Sequence, residues 1–394
     1  MTWGSPASLD QRRNCGVLSV RAVTMDPPLA HDLEVTVDNP YAERRSVQLD
    51  GYKVRYWFYD ADKKRKPLLV MFHGFRGDHH GLQLIATELR DKYHVVVPDL
   101  PGFGRSEPFT DREHNIPNYV TFARDFITAL TDGAVSPDGD SGIIVAGHSF
   151  GSIIASHFAV DFPAMVRRLI LINPISEPAL DGKHKKLTRL TELYYGVGKS
   201  LPRALGAKLL SSGSVVKLMT DVMVKSKDPE VKKYALRQHE SYFSTFANRD
   251  VLHEAYQASI SGTVAEVAMQ LTMPTLLIVG AEDDLGSVQS QQTMASWIRS
   301  HRLEIIPETG HLIHYEAPRL AAEYIDDFLS SPAPEPLDVH AELPLADTIE
   351  STPDQLTGMT PIIRQDQLAR EQAAQQAFRE RRDRNERGAG DNRP

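Results

Sequence analysis

The sequence predicts an α/β protein: a mostly parallel central sheet with helices on both faces and a helical cap inserted into it. Three observations carry this. Short apolar runs such as Ile143-Ile144-Val145-Ala146 and Thr275-Leu276-Leu277-Ile278-Val279 suit strands buried on both faces. They alternate with stretches of helical periodicity, the pattern of parallel strands joined by helices. About 100 residues separate Asn173 from the strand that opens at Thr275, far more than one crossover needs.

The elements follow in order. Residues 46–59 read as an antiparallel hairpin about Asp50-Gly51, a dipeptide suited to a tight two-residue turn. Strands are expected near 68–72, 94–98, 143–147, 168–172, 275–279 and 302–306, and helices near 79–91, 119–131, 150–161, 288–300 and 318–329. The long insertion carries helical periodicity over Leu187 to Tyr195, Ala204 to Leu210, Val215 to Val224 and Glu230 to Phe246. The expected organisation is an N-terminal extension over 1–45, core over 46–174 and 274–330, a cap over 175–273, and a tail over 331–394. The tail opens on Pro332-Ala333-Pro334-Glu335-Pro336 and holds few large apolar residues, a composition that favours disorder. Residues 365–387 carry an Ala-, Gln-, Glu- and Arg-rich stretch that suits a solvated helix; no partner for this tail can be named.

Composition narrows the function classes. A net charge of −8, with no basic stripe interleaved with aromatics, points away from nucleic acid. The single cysteine, Cys15, cannot form an intramolecular disulfide. Gly16 to Val20 is too short for a secretory apolar core, and no run approaches the ~18 apolar residues of a membrane helix. The expectation is a cytoplasmic protein without membrane insertion. Met25 is a second candidate for the start of translation.

The most informative residues are Gly147-His148-Ser149-Phe150-Gly151, a G-x-S-x-G pattern between an apolar strand and a helical repeat. With 27 serines and 25 glycines in 394 residues, chance alone supplies only ~0.1 such matches. A strand-to-helix turn of this kind needs glycines on both sides so that strand and helix pass without a Cβ clash, and it pushes the serine hydroxyl outward. Candidate partners stand just past two later strands: Ala281-Glu282-Asp283-Asp284 and Glu308-Thr309-Gly310-His311.

The order Ser149, Asp283, His311 resembles that of the α/β-hydrolase superfamily. Leu68 to Gly77 is similar to that family's His-Gly oxyanion loop, and Asp99-Leu100-Pro101-Gly102-Phe103-Gly104-Arg105-Ser106 to its D-x-x-G-x-G-x-S stretch. The resemblance runs from about residue 45 to 330 and implies an α/β-hydrolase fold with a serine nucleophile. It implies the role of acid for Asp283, three residues past Gly280, with Asp284 as the rival. It also implies an oxyanion hole from the backbone N–H groups of Phe75 and Phe150, with His73, Gly74, Gly147, His148 and Gly151 supporting loop and elbow. Leu285-Gly286-Ser287 departs from the family, where a proline often follows the acid.

The chemistry fits these residue types. A serine hydroxyl needs a base within hydrogen-bond reach; a histidine, titrating near ~6.5, accepts that proton and returns it at neutral pH. An acid on the far nitrogen fixes the tautomer. Arg76, Tyr194, Met219 and Phe243 are candidates for substrate contact, Arg76 through a substrate carboxylate. His79 and His80 lack the i, i+4 spacing of helical metal ligands, so no metal is expected, and no dinucleotide or phosphate-loop fingerprint calls for a cofactor. The leading expectation is hydrolysis of a carboxylic ester or related small acyl compound. C–C bond hydrolysis or a lyase reaction with the same three residues is the nearest alternative, and a non-catalytic receptor of this fold is the alternative of another class. Dehalogenases and epoxide hydrolases of the family are disfavoured, because they use aspartate where Ser149 stands.

Overall fold

Asp50 and Gly51, both at positive φ (37° and 85°), close a two-residue turn between β1 (Ala42–Leu49) and β2 (Tyr52–Tyr59). The computed structural model describes residues 39–60, 66–134, 142–177 and 185–334. Most of the N-terminal extension and the expected tail helix lie outside the described residues. β1 starts at Ala42, so the strand takes in residues assigned from sequence to the extension. Its Glu43, Arg44 and Arg45 mask the strand pattern, since an edge strand is protected by charge rather than marked by apolar residues.

β3 (Leu68–Phe72), β4 (His94–Pro98), β5 (Ile143–His148), β6 (Val166–Ile172), β7 (Thr275–Gly280) and β8 (His301–Ile306) complete an eight-stranded sheet. Its order is β1-β2-β4-β3-β5-β6-β7-β8. β1 and β2 pair antiparallel, β2 meets β4 antiparallel, and every later pairing is parallel.

Alternate residues of the central strands feed two cores. Val70, Val145, Leu171 and Leu277 pack on one face with Phe122, Phe126, Ile154 and Phe158 of helices α2 (Ile116–Leu130) and α3 (Phe150–Asp161). Leu69, Ile144, Ile170 and Leu276 pack on the other with Ile85 and Leu89 of α1 (Gln83–Leu89) and with Ile325 and Phe328 of the chain's last described helix. The period of two along a strand sends neighbours to opposite faces, and covering both faces makes the runs continuously apolar.

Helix ends shift for local reasons. α2 begins at Ile116, earlier than expected, because the Asn115 side chain accepts from the Asn118 N–H and Pro117 suits a first turn. The expected helix over 79–91 splits into a 3-10 turn at His79–Gly81 and α1. Between β6 and β7 lie α4 (Lys185–Ser200), α5 (Arg203–Leu210), α6 (Gly213–Met223), α7 (Pro229–Tyr242) and α8 (Arg249–Ser261). The periodicity read as one helix to Phe246 ends at Tyr242, and α8 is an addition to the expected set. Asn248 caps α8 by accepting from the N–H groups of Asp250 and Val251. After β7 come α9 (Val288–Ser296), the short α10 (Ile313–Glu316) and α11 (Pro318–Ser330). No described helix is long and apolar enough to cross a membrane.

Candidate active site

The pentapeptide forms the turn between β5 and α3. A Cβ on Gly147 would stand 2.1 Å from the Gly151 carbonyl oxygen, and one on Gly151 would stand 2.1 Å from that of Phe72; neither position admits a side chain. Ser149 itself has φ 53° and ψ −118°, a strained conformation for a non-glycine residue that costs about 1–3 kcal/mol. Its N–H donates to the Ile172 carbonyl at 3.1 Å, tying the turn to β6.

Three side chains converge there. The Ser149 hydroxyl lies 2.8 Å from His311 Nε2, and His311 Nδ1 lies 2.8 Å from Asp283 Oδ2. With Nδ1 donating to the carboxylate, Nε2 is left to accept the serine proton. Asp283 Oδ1 accepts from the Leu285 N–H at 2.8 Å, which orients the carboxylate. The neighbouring Asp284 points elsewhere, to Lys225 Nζ at 2.5 Å in the insertion. Of the two candidate acids, only Asp283 faces the imidazole.

Two residues that sequence reasoning missed hold the histidine loop. Asn173, buried at the end of β6, donates through Nδ2 to the carbonyl oxygens of Gly310 and His311 and accepts through Oδ1 from the Gly280 N–H. Glu316 accepts from the N–H groups of Lys225, Ser226 and Gly310. Burial pushes its carboxyl upward against those hydrogen bonds. His148 donates from Nε2 to the His311 carbonyl at 3.0 Å. Burial, with His311 nearby, lowers the His148 imidazole to about 3, so this neighbour of the site stays neutral.

The loop after β3 closes the other side. His73 donates from Nδ1 to the Gly74 carbonyl and accepts at Nε2 from the Leu100 N–H, which sets its tautomer and couples this loop to the one after β4. A Cβ on Gly74 would lie 3.0 Å from His148 Nδ1 and 3.3 Å from Ser149 Cβ, so the backbone leading into Phe75 runs against the elbow. Phe150 opens α3, where a first-turn N–H has no partner within the helix.

Arg76 requires a correction. Expected to contact a substrate carboxylate, it is 1% exposed and lies outside the cavity lining. Its Nε donates to the Phe243 carbonyl, Nη1 to the Tyr195 hydroxyl and Nη2 to the Leu210 carbonyl. The guanidinium therefore bolts the core loop to the ends of α5 and α7 and to α4. Asp78, His79 and His80 bring potential metal-ligating atoms within 4.8 Å of one another. Their geometry is that of packed pairs: His79 Nδ1 meets Asp99, His80 Nδ1 meets Asp78, and the rings stack on Trp57 and Tyr242.

A cavity of about 860 Å³ opens above Ser149 and His311, with Tyr194, Met219 and Phe243 among its walls. Leu193, Tyr195, Leu218 and Met223 line it as well, whereas Tyr242 and Phe246 do not. Its size is that of a small-molecule site. No lysine or arginine among the described residues lines it; its charged members are Asp78, Glu177, Asp283 and Asp284.

A family model described as alpha/beta hydrolase fold matches residues 67–318. The chain is similar to epoxide hydrolase 4 of Mus musculus, 22% identical over 72% of this chain and 78% of that protein. It is also similar to 2-hydroxymuconate semialdehyde hydrolase of Pseudomonas sp. (strain CF600), 26% identical over 63% and 80%. Among solved structures, the enol-lactonase from Burkholderia xenovorans LB400 matches with a TM-score of 0.59 at 15% identity, over 73% of this chain and 100% of that one. A thermophilic esterase from Thermogutta terrifontis matches with a TM-score of 0.56 at 23% identity, over 73% and 98%. Fold and relatives point to hydrolytic chemistry in general: the chain belongs to the α/β-hydrolase fold family.

Proposed function

We propose that the protein is a serine hydrolase acting on a neutral, largely apolar carboxylic ester or related acyl compound. The observation that carries this is the hydrogen-bonded series from Ser149 through His311 to Asp283 at the floor of the cavity. In the proposed reaction His311 Nε2 takes the Ser149 proton as Oγ adds to the acyl carbon. The oxyanion receives the N–H groups of Phe75 and Phe150, donors of a kind worth about 2.7–4 kcal/mol when one is lost. The imidazolium then protonates the departing alkoxide, leaving an acyl-serine. Water, deprotonated by the same nitrogen, repeats the sequence and releases the acid.

The absence of a cation from the described cavity walls favours a neutral substrate, since a carboxylate buried among apolar groups needs a charged or strongly hydrogen-bonding partner. The same point weighs against C–C bond hydrolysis of a substrate that carries carboxylates, and Ser149 weighs against epoxide opening by a carboxylate nucleophile. Short- and medium-chain p-nitrophenyl esters and a fluorophosphonate probe test the reading. The wild type should turn over the esters and take the label, and Ser149→Ala should do neither. A wild type that stays unlabelled and inactive on every ester would overturn it and leave a receptor of this fold as the better reading.

A further inference from the structure

The first half of the insertion differs in charge from the rest of the chain. Over residues 185–223, which span α4 to α6, seven lysines and arginines stand against two acidic residues, in a chain of net charge −8. The same helices expose large apolar side chains: Leu193 is 61%, Val197 40%, Leu205 57% and Leu218 64% exposed. These are half of the exposed large hydrophobic residues among those described. Single exposed apolar residues need no explanation, but a group of them does. Leu193, Val197 and Leu218 also line the cavity, so they sit where it meets solvent. Exposed lysines stand close by in the chain: Lys208 three residues after Leu205 on α5, Lys217 next to Leu218, and Lys199 near the end of α4.

We propose that α4 to α6 form a docking surface for an anionic lipid layer. The four apolar side chains enter the headgroup region, the lysines meet lipid phosphates, and the cavity mouth turns toward the acyl chains. Helices that combine exposed apolar residues with basic ones bind in this way, lying on a bilayer rather than spanning it. The charge argues against a second copy of the chain as occupant, because pairing this surface with itself would bring like charges together. The proposal goes beyond acyl hydrolysis and does not depend on it.

The test is flotation of the full chain, as Ser149→Ala to remove turnover, with phosphatidylcholine vesicles that contain or lack phosphatidylglycerol. Binding should require the anionic lipid and weaken as salt is raised. Lys217 shares its charge with Asp221 at 3.4 Å, so Leu205→Glu with Lys208→Glu is the cleaner variant; neither residue lines the cavity. It should lose at least roughly tenfold in vesicle partitioning while keeping the parent's circular dichroism and thermal midpoint. Three results would overturn the proposal: no flotation with either vesicle, binding indifferent to lipid charge, or binding unchanged in the double variant. A dimer in sedimentation velocity that this variant dissolves would also overturn it, by assigning the surface to self-association. Ester turnover without flotation sinks the lipid surface alone, and flotation without turnover sinks the hydrolase alone.

Discussion

The side-chain amide of Asn173 donates to the main-chain carbonyl oxygen of His311 at 2.9 Å, while its own oxygen accepts from the Gly280 N–H at 2.8 Å. One residue at the end of β6 thus joins the strand that leads to Asp283 with the loop that carries His311. Its backbone adopts φ 41°, a region that asparagine enters more readily than most residues. Asn173→Ala should lower kcat on a chromogenic ester by up to roughly 100-fold with little change in KM, because small misplacements of a base are that costly. Asn173→Asp should do worse, since a carboxylate would face two carbonyl oxygens. Equal loss in stability and kcat/KM without any split would show a purely structural role.

Asp283 and Asp284 are adjacent yet face different partners, His311 and Lys225. Asp283→Asn should keep the shape of the site but favour the wrong imidazole tautomer, lowering kcat by about 10⁴-fold. Asp284→Asn removes a partly exposed ion pair worth less than about 1 kcal/mol and should leave kcat within a factor of a few. Steady-state kinetics of the two variants, side by side, decide between the carboxylates.

How far the sequence could be read depends on what each residue touches. β3, β5 and β7 were legible because burial on both faces demands unbroken apolar runs, whereas β1 hides behind the charges of an edge strand. Ser149 was legible because the turn around it admits only glycine at 147 and 151, a requirement that leaves a mark on residue identity. Asn173 and Arg76 were not. Their partners are mostly main-chain carbonyls, 134 to 167 residues away for Leu210, Gly310, His311 and Phe243, and a carbonyl oxygen has no residue signature. The burial of Arg76 depends on how the insertion folds back on the core, which local periodicity does not encode.

Arg76 carries a buried charge whose named hydrogen-bond partners are two carbonyls and a hydroxyl, with its guanidinium 5.1 Å from the Phe243 ring centre. Arg76→Met should orphan the Phe243 carbonyl oxygen and leave the Leu210 carbonyl with only the Tyr194 hydroxyl as donor, destabilising the fold by about 1–3 kcal/mol. The loss should concentrate in the insertion, seen as faster hydrogen exchange in α5 and at the end of α7. Arg76→Lys should rescue only part of it, because an ammonium cannot reproduce the three directions of the guanidinium. Uniform destabilisation across the molecule would contradict the bolt assigned to this residue.

His148 and His239 make stability depend on pH. Burial lowers each to about 3, with His311 adding to the effect at His148 and Arg76 at His239. His239 Nδ1 donates to Thr220 Oγ1, whose own hydrogen goes to the Val216 carbonyl, and His148 Nε2 donates to the His311 carbonyl, so each of these hydrogen bonds is made by the neutral imidazole. The unfolded chain protonates both near the ordinary value of 6.5, and the folded chain does so only near 3. Between these values the unfolded state binds more protons, so stability falls as pH drops, by up to about 1.4 kcal/mol per pH unit for each residue. Thermal midpoints should be flat above pH 7 and fall steeply below pH 6. His148→Gln, which keeps a donor for the His311 carbonyl and cannot titrate, should flatten that fall; an unchanged slope would remove His148 from the account.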